Sequence, residues 1–284
     1  MYKGIDISQH NGYVDMSKVS GAGIDFVMIR DGYGDILNYP SQKDPTFERN
    51  YTNAKAAGLG VGAYHYLYAT TAAGAKREAE GFLATIKGKK FDYPVALDIE
   101  ERAQYNLSNA TVESIVKAFI DVCEKAGYYC MLYSYEAFLT AKMSASFRAQ
   151  YDVWCANISY APSISYGIWQ YSFTGSVPGC SGAVDLNRTS RDYPALIKAG
   201  GFNGYPKEPA KELDKPSEAW YKRGDKDHCI FAVKQRMKAL GYSRLDDTGG
   251  FGGGTENAVN DLLDKWGYKQ TGVIGENFVK RVMK

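Results

Sequence analysis

The 284-residue sequence predicts an α/β chain in two parts. An irregular (β/α) barrel closed by antiparallel strands is expected over residues 1–200, and a small all-α domain over 218–284. Three observations predict this. Short runs of β-branched and aromatic residues recur through the first 190 residues, with helical patterns between several of them, as in a parallel sheet. The last of these runs are joined by connections shorter than a usual parallel crossover. A Pro-rich, charged stretch at 201–217 then precedes a tail with an internal repeat.

Eight runs read as strands: Tyr2–Ile7, Phe26–Arg30, Gly60–Tyr66, Tyr93–Ile99, Met131–Ser134, Val153–Ala156, Ile168–Tyr171 and Val184–Leu186. Each is brief and apolar, as buried strands are. The clearest helix is Thr111–Ala126. Its Val112, Ile115, Val116, Phe119, Ile120 and Cys123 share one face at i, i+3, i+4 spacing, and Gly127 follows as a helix-ending residue. Helices are also expected over Ala75–Ile86 and over Phe47–Ala57, ahead of Gly58. Only 11 residues separate Ala156 from Ile168, and 12 separate Tyr171 from Val184. The last strands are therefore expected to meander with antiparallel pairing.

The segment 201–217 holds three Pro, several charges and few large apolar residues, which predicts an exposed linker. Beyond it, Ala232-Val233 is followed nine residues later by Gly241-Tyr242, and Ala258-Val259 by Gly267-Tyr268. Each copy pairs an amphipathic helix with a Gly turn. Two copies are too few for a solenoid, so a bundle of about three short helices is expected.

Composition narrows the function. A net charge of +2 does not provide the basic surface of a nucleic-acid binder. The 56–75 segment lacks charge and is long enough to span a bilayer, but its four Gly, two Thr, three Tyr and His65 fit a strand with flanking loops. No membrane partner is expected. The N-terminus lacks a basic region followed by an apolar one, so no secretory signal is read there. The five Cys form no CxxC pair and are expected to be mostly reduced core thiols. His10 and His65 have no partner at ligand spacing, so neither a metal nor a cofactor is expected.

Three strand ends carry carboxylates: Asp6 on the first, Asp98 and Glu100 on the fourth, Asp185 on the eighth. Residues i and i+2 of a strand share a face, about 7 Å apart at Cα, so Asp98 and Glu100 are expected to face one cleft while Leu97 and Ile99 pack. Neighbouring carboxylates in a partly apolar site repel, and one keeps its proton. Glycoside hydrolysis needs such a pair, one acid for the leaving oxygen and one charge for the cationic centre. Barrel active sites gather residues from several strand ends, which links Asp6 and Asp185 to the pair. Tyr64, Tyr66, Tyr133, Trp154, Asn157, Trp169 and Gln170 recur at the same level. Their rings suit sugar faces and their amides suit hydroxyl or N-acetyl groups. Arg30 is expected both to pair with a carboxylate and to line the cleft.

These motifs in this order resemble the Chalaropsis-type lysozymes, glycoside hydrolase family 25. The resemblance rests on Gly4-Ile5-Asp6-Ile7-Ser8, Ile29-Arg30-Asp31-Gly32-Tyr33-Gly34, Asp44-Pro45-Thr46-Phe47 leading to Asn50, and Gly62-Ala63-Tyr64-His65-Tyr66. It continues through Pro94-Val95-Ala96-Leu97-Asp98-Ile99-Glu100, Ile168-Trp169-Gln170-Tyr171 and Val184-Asp185-Leu186-Asn187. It implies a barrel closed by a three-stranded antiparallel segment. It also implies hydrolysis of the β-1,4 bond between N-acetylmuramic acid and N-acetylglucosamine in bacterial peptidoglycan. In that reading Glu100 is the general acid. Asp98 orients the substrate's 2-acetamido group or stabilises the oxocarbenium-like centre, and Asp6 and Asp185 support them. The tail resembles the helical peptidoglycan-binding module of wall hydrolases, with Leu262-Leu263 in place of the usual second aromatic-Gln pair.

Two other readings compete. A chitinase-like barrel would carry Asp-x-x-Asp-x-Asp-x-Glu, but Ala96 stands where the preceding Asp belongs. A non-catalytic wall lectin would lack a carboxylate, and all four are present. The setting reads as a phage endolysin made in the host cytoplasm and acting on the wall, with a bacterial autolysin as the alternative.

Overall fold

Eight strands close into one barrel in chain order: β1 (Tyr2–Ile7), β2 (Phe26–Tyr33), β3 (Gly60–Tyr66), β4 (Val95–Asp98), β5 (Cys130–Tyr135), β6 (Val153–Ala156), β7 (Ile168–Gly175) and β8 (Val184–Thr189). The computed structural model describes residues 1–206 and 212–283. By contacts the chain divides into two units, Met1–Lys207 and Glu208–Lys284. Every expected strand forms, and the uncharged 56–75 segment contributes β3 and its turns. Among the described residues no helix is long and apolar enough to cross a membrane.

Strand alternation sorts the first unit into two cores. Ile5, Ile7, Val27, Ile29, Val61, Leu97 and Ile99 point outward and pack under the surrounding helices. Phe26, Met28, Tyr64, Ala96, Met131, Tyr133, Trp154 and Ile168 fill the barrel interior. Two glycines make that filling possible. A Cβ on Gly4 would run into the Phe26 ring, and one on Gly62 into the Met28 sulfur. Phe26 stacks on Tyr93 at 4.2 Å between centroids, and Tyr193 packs beside Tyr93.

The helix Asn109–Lys125 covers the outer face with Val112, Ile115, Val116, Phe119, Ile120 and Cys123 buried. Ser108 caps its start by accepting from the Thr111 N–H. Gly127 ends it at φ +86°, and the Tyr128 N–H reaches back to the Cys123 carbonyl. That is the left-handed closure for which glycine is suited. The helices Phe47–Ala56 and Ala72–Ile86 also form, the second starting three residues earlier than the pattern predicts because Thr71 caps it. All five cysteines are free; Cys123, Cys130 and Cys155 are buried, and Cys229 is exposed.

Two expectations are corrected. β6 and β7 pair in parallel, not antiparallel, with Trp154 opposite Ile168. β6 is only four residues long, so the chain must return only about 13 Å to start a parallel neighbour. Residues 157–167 do this without a helix, since an extended chain covers roughly 3.3 Å per residue. The antiparallel closure is therefore β8 with its two neighbours, β7 and β1. The second correction concerns the 201–217 segment. Asn203 is fully buried, donating to the Tyr93 carbonyl at 2.9 Å and accepting from the Tyr129 N–H at 2.8 Å. Residues 201–206 are thus built into the first unit. Residues 207–211 of the expected linker lie outside the described residues.

The second unit has three longer helices among its described residues: His228–Ala239, Gly253–Lys265 and Glu276–Val282. Its own core includes Ile230, Val233, Met237, Val259, Leu263 and Phe278. The sequence repeat appears as one closure used twice. Gly241 and Gly267 have positive φ, and the N–H groups of Tyr242 and Tyr268 return to the carbonyls of Met237 and Leu263. The adopted Leu262-Leu263 pair is buried in this core.

Candidate active site

The C-terminal ends of the parallel strands open into a cavity of about 370 Å³. Inward-facing positions on neighbouring strands bring its walls together. Asp6 on β1 is registered beside Asp185 on β8. Asp98 on β4 lies between Tyr66 on β3 and Tyr133 on β5. Glu100 stands just past the end of β4, two residues beyond Asp98 on the same side. The cavity is lined by Asp6, Arg30, Tyr64, Tyr66, Asp98, Glu100, Tyr133, Trp154 and Asp185, nine of the residues singled out in the sequence.

Gln170, expected at the cavity, is instead buried behind its lining and orients it through Tyr133 and Asp6. The Tyr133 hydroxyl donates to Gln170 Oε1 at 2.7 Å, and Gln170 Nε2 donates to Asp6 Oδ2 at 2.7 Å. The Trp154 indole N–H donates to Asn187 Oδ1 at 2.7 Å, and Asn187 Nδ2 donates to the same Asp6 oxygen at 2.7 Å. An indole can only donate, so it fixes the Asn187 amide with its NH₂ toward Asp6. Two buried amides therefore hold one Asp6 oxygen in place.

Arg30 has both expected places. Its Nε and Nη2 donate to Asp44 Oδ2 at 3.3 and 3.2 Å while the side chain also borders the cavity. The same Asp44 oxygen accepts the Gln9 N–H, which ties the loop after β1 to β2.

Asn157 and Trp169 do not reach the cavity. Gln170 points inward, so its strand neighbour Trp169 points out, where the Arg188 guanidinium lies 3.9 Å from its ring centroid. Asn157 lies past β6, with its amide donating to Glu136 at 2.6 Å and its carbonyl accepting the Trp169 indole N–H at 2.7 Å. Tyr135, Phe173, Ser8, His10 and Asn11 also line the cavity, beyond the residues expected from the sequence. Asn187 likewise goes beyond that expectation, as does Glu101, which accepts the Tyr66 hydroxyl at 2.9 Å. Tyr135 and Asn187 were within reach of the same alternation, two residues beyond Tyr133 and Asp185.

Four carboxyl groups share this buried space, and none can ionise freely. Burial pushes Glu100 up to about 7, reinforced by the charges of Asp6 and Glu101; the neighbouring Tyr135 hydroxyl holds it down. Burial raises Asp98 well above the usual range, with Glu100 and Asp6 adding to it and Arg30 opposing it. Asp185 is raised to about 8 by burial and then by Asp6. Asp6 is also raised by burial, although the Asn187 and Gln170 amides favour its ionised form. The consistent arrangement is an Asp6 carboxylate accepting from both amides beside a protonated Asp185, with Asp98 and Glu100 sharing protons at neutral pH. Asp98 Oδ1 and Glu100 Oε2 are buried and have no hydrogen-bond partner among the described residues. Buried polar atoms are ordinarily satisfied, so two such atoms at one cavity wall mark where a polar ligand belongs.

The glycosyl hydrolases family 25 model matches residues 5–180. An autolytic lysozyme of Clostridium acetobutylicum is 31% identical over 287 residues, covering 97% of this chain and 79% of that one. Among solved structures, the CTP1L endolysin is 29% identical with a TM-score of 0.61, covering 70% of each chain. The modular autolysin LytC from Streptococcus pneumoniae, solved in complex with a synthetic peptidoglycan ligand, is 26% identical with a TM-score of 0.59, covering 66% of this chain and 46% of that one. The fold, the site and these similarities converge, and the chain belongs to glycosyl hydrolases family 25.

Proposed function

We propose that the barrel is a muramidase, cleaving the β-1,4 bond between N-acetylmuramic acid and N-acetylglucosamine in bacterial peptidoglycan. The observation that carries this reading is the pair of unpartnered buried oxygens, Asp98 Oδ1 and Glu100 Oε2, in an aromatic-walled cavity of a family 25 hydrolase.

Glu100 is the proton donor. Held near pH 7, it keeps its proton under mildly acidic conditions and gives it to the glycosidic oxygen, which leaves with the bonding electron pair. Positive charge then develops at the anomeric carbon. That charge favours the ionised form of Asp98, which supports the centre directly or by orienting the 2-acetamido group. Water then adds through its oxygen to the anomeric carbon, and the Glu100 carboxylate takes the proton it releases, restoring the acid. Asp6 and Asp185 hold the floor through Gln170 and Asn187, and the rings of Tyr64, Tyr66, Tyr133 and Trp154 give sugar faces apolar contact. No cofactor enters these steps.

The second unit serves as a cell-wall-binding module in this proposal. Its separate core and paired helix–turn repeat support that role, and the similarity to the clostridial lysozyme runs through it. In this reading the protein acts at the cell wall, with peptidoglycan as its partner.

Digestion of purified wall sacculi, with mass spectrometry of the released ends, tests the bond assignment. New reducing ends on N-acetylmuramic acid are expected. Reducing ends on N-acetylglucosamine, or no release by the folded protein, would overturn it.

A further inference from the structure

A second groove, of about 510 Å³, adjoins the catalytic cavity and shares Tyr135 and Phe173 with it. The two rings meet edge to face at 6.0 Å, forming a common wall. Beyond that wall the groove runs along residues 156–160. Tyr160 is 65% exposed and Ile158 55% exposed, next to Tyr135 at 41%. Large apolar side chains exposed beside an active-site cleft are the surface a sugar ring packs against.

The loop that presents Tyr160 is fastened. Glu136 is buried, the residue only 8% exposed. It accepts from Asn157 Nδ2 at 2.6 Å, from the Ser163 N–H at 2.7 Å and from the Ser163 hydroxyl. These hydrogen bonds hold Glu136 below the usual carboxylate range against the effect of burial. Asn157 Oδ1 also accepts the Ser159 N–H at 3.0 Å, and its carbonyl holds the Trp169 indole. This accounts for Asn157 past the end of β6 and for the outward-facing Trp169 bonded to it, neither of which touches the catalytic cavity. A charge-assisted clasp of this kind fixes a surface loop before ligand arrives, which lowers the entropy cost of binding.

We propose that this groove is a glycan subsite on the leaving-group side of the scissile bond, with Tyr160 as its stacking platform and Glu136, Asn157 and Trp169 as positioning residues. The direction follows from the cavity. The sugar that becomes cationic lies over Asp98 and the floor. The leaving oxygen lies at Glu100, and Tyr135 stands beside Glu100 as the first residue of the adjoining groove. The strand therefore leaves the cavity past the proton donor and over Tyr135 toward Tyr160. The subsite rests on the muramidase reading.

The test uses the full-length protein and peptide-free oligosaccharides of alternating N-acetylmuramic acid and N-acetylglucosamine, extended at either the reducing or the non-reducing end. For the parent protein, extension toward the reducing end is expected to raise kcat/KM. Tyr160→Ala, at an exposed position, is expected to forfeit about 10-fold of that gain, mainly through KM. Tyr160→Phe keeps the ring and is expected to restore it. Extension toward the non-reducing end is expected to benefit the parent and both variants equally. The subsite is overturned if reducing-end extension brings no gain to the parent, or the same gain to Tyr160→Ala. If the folded parent cleaves no oligosaccharide and no sacculi, the muramidase reading itself fails and the subsite with it.

Discussion

Glu100 is held in a state that favours chemistry over stability. In the folded chain it titrates at about 7, whereas an unconstrained glutamate titrates near 4.5. A group raised in this way keeps a proton that the unfolded chain has already released, so stability falls as pH rises from about 4 toward 7. Asp185, raised to about 8, extends the same slope. Glu100→Gln is therefore expected to lower wall hydrolysis by about 10²–10⁴-fold and to raise the melting temperature at pH 7.5. An active variant would remove Glu100 from the chemistry, and an inactive one that melts lower would show that the glutamate is structural. For the parent protein, kcat/KM is expected to fall as pH rises through about 7, where Glu100 loses its proton. A rate still climbing at pH 9 would assign the donor to another group. Asp98→Asn keeps the shape but loses the charge that answers the cationic centre, so activity is expected to drop below about a tenth. At this scale the sequence was read well where one rule sufficed. The i, i+2 alternation puts Asp98 with Glu100 and Tyr64 with Tyr66. The same rule separates Trp169 from Gln170, since adjacent residues of a strand cannot both face inward. Asn157 was misplaced for another reason: it lies beyond the end of β6, where strand periodicity no longer governs direction.

On the outer face of β3 a buried charge joins sheet to helix. His65 is fully buried. Its Nδ1 lies 2.8 Å from Asp31 Oδ1, and its Nε2 lies 3.1 Å from the Gly34 carbonyl and 3.4 Å from Glu78 Oε2 in the helix Ala72–Ile86. Acceptors on both ring nitrogens require both to donate, so the ring is an imidazolium. Burial works against that charge, but Asp31 and Glu78 outweigh it and raise the ring to about 9. The proton gained on folding stabilises the barrel fully below about 6.5, and the contribution disappears as pH rises through about 9. Denaturant unfolding of the first unit is thus expected to require less denaturant at pH 9.5 than at pH 6.5, and His65→Gln is expected to cost about 3–5 kcal/mol by stranding two buried carboxylates. Because Asp185 and Glu100 add a fall of the same sign below about pH 8, the comparison is with His65→Gln: an equal fall in the parent and in that variant would mean that His65 is neutral when folded. The elements themselves were legible because apolar runs, glycine stops and cap residues agree locally. Thr71 is an example of a missed local signal, since its cap starts the helix before the first apolar residue of the pattern. The β6–β7 pairing was not legible. Connection length predicts direction only when the strands are of ordinary length, and a four-residue strand can be re-entered in parallel by a short loop.

Across the whole chain, the composition shift at 201–217 pointed to a boundary but placed its start too early. Pro and charge describe exposure on average, whereas Asn203 is buried because its side chain and backbone bridge the segments before β4 and β5. A piece ending at residue 200 would lose that bridge, so the catalytic piece should run to 207, where the contacts of the first unit end. All four carboxylates of the cavity lie in Met1–Lys207, and the second unit holds its own core. Cut at that boundary, piece 1–207 is expected to cleave soluble glycan fragments, and piece 208–284 to bind sacculi without cleaving them. Joining a binding unit to a catalytic one makes the second encounter with an insoluble wall intramolecular, which can raise overall avidity by about 10²–10⁴-fold where geometry allows. The loss on cutting should therefore be far larger on intact walls than on soluble fragments. Rates for the full chain and for piece 1–207, measured on both substrates, decide the point. Equal losses on the two would show that the second unit supports the barrel rather than targeting it, and a folded piece 208–284 that does not sediment with sacculi would remove the wall-binding role.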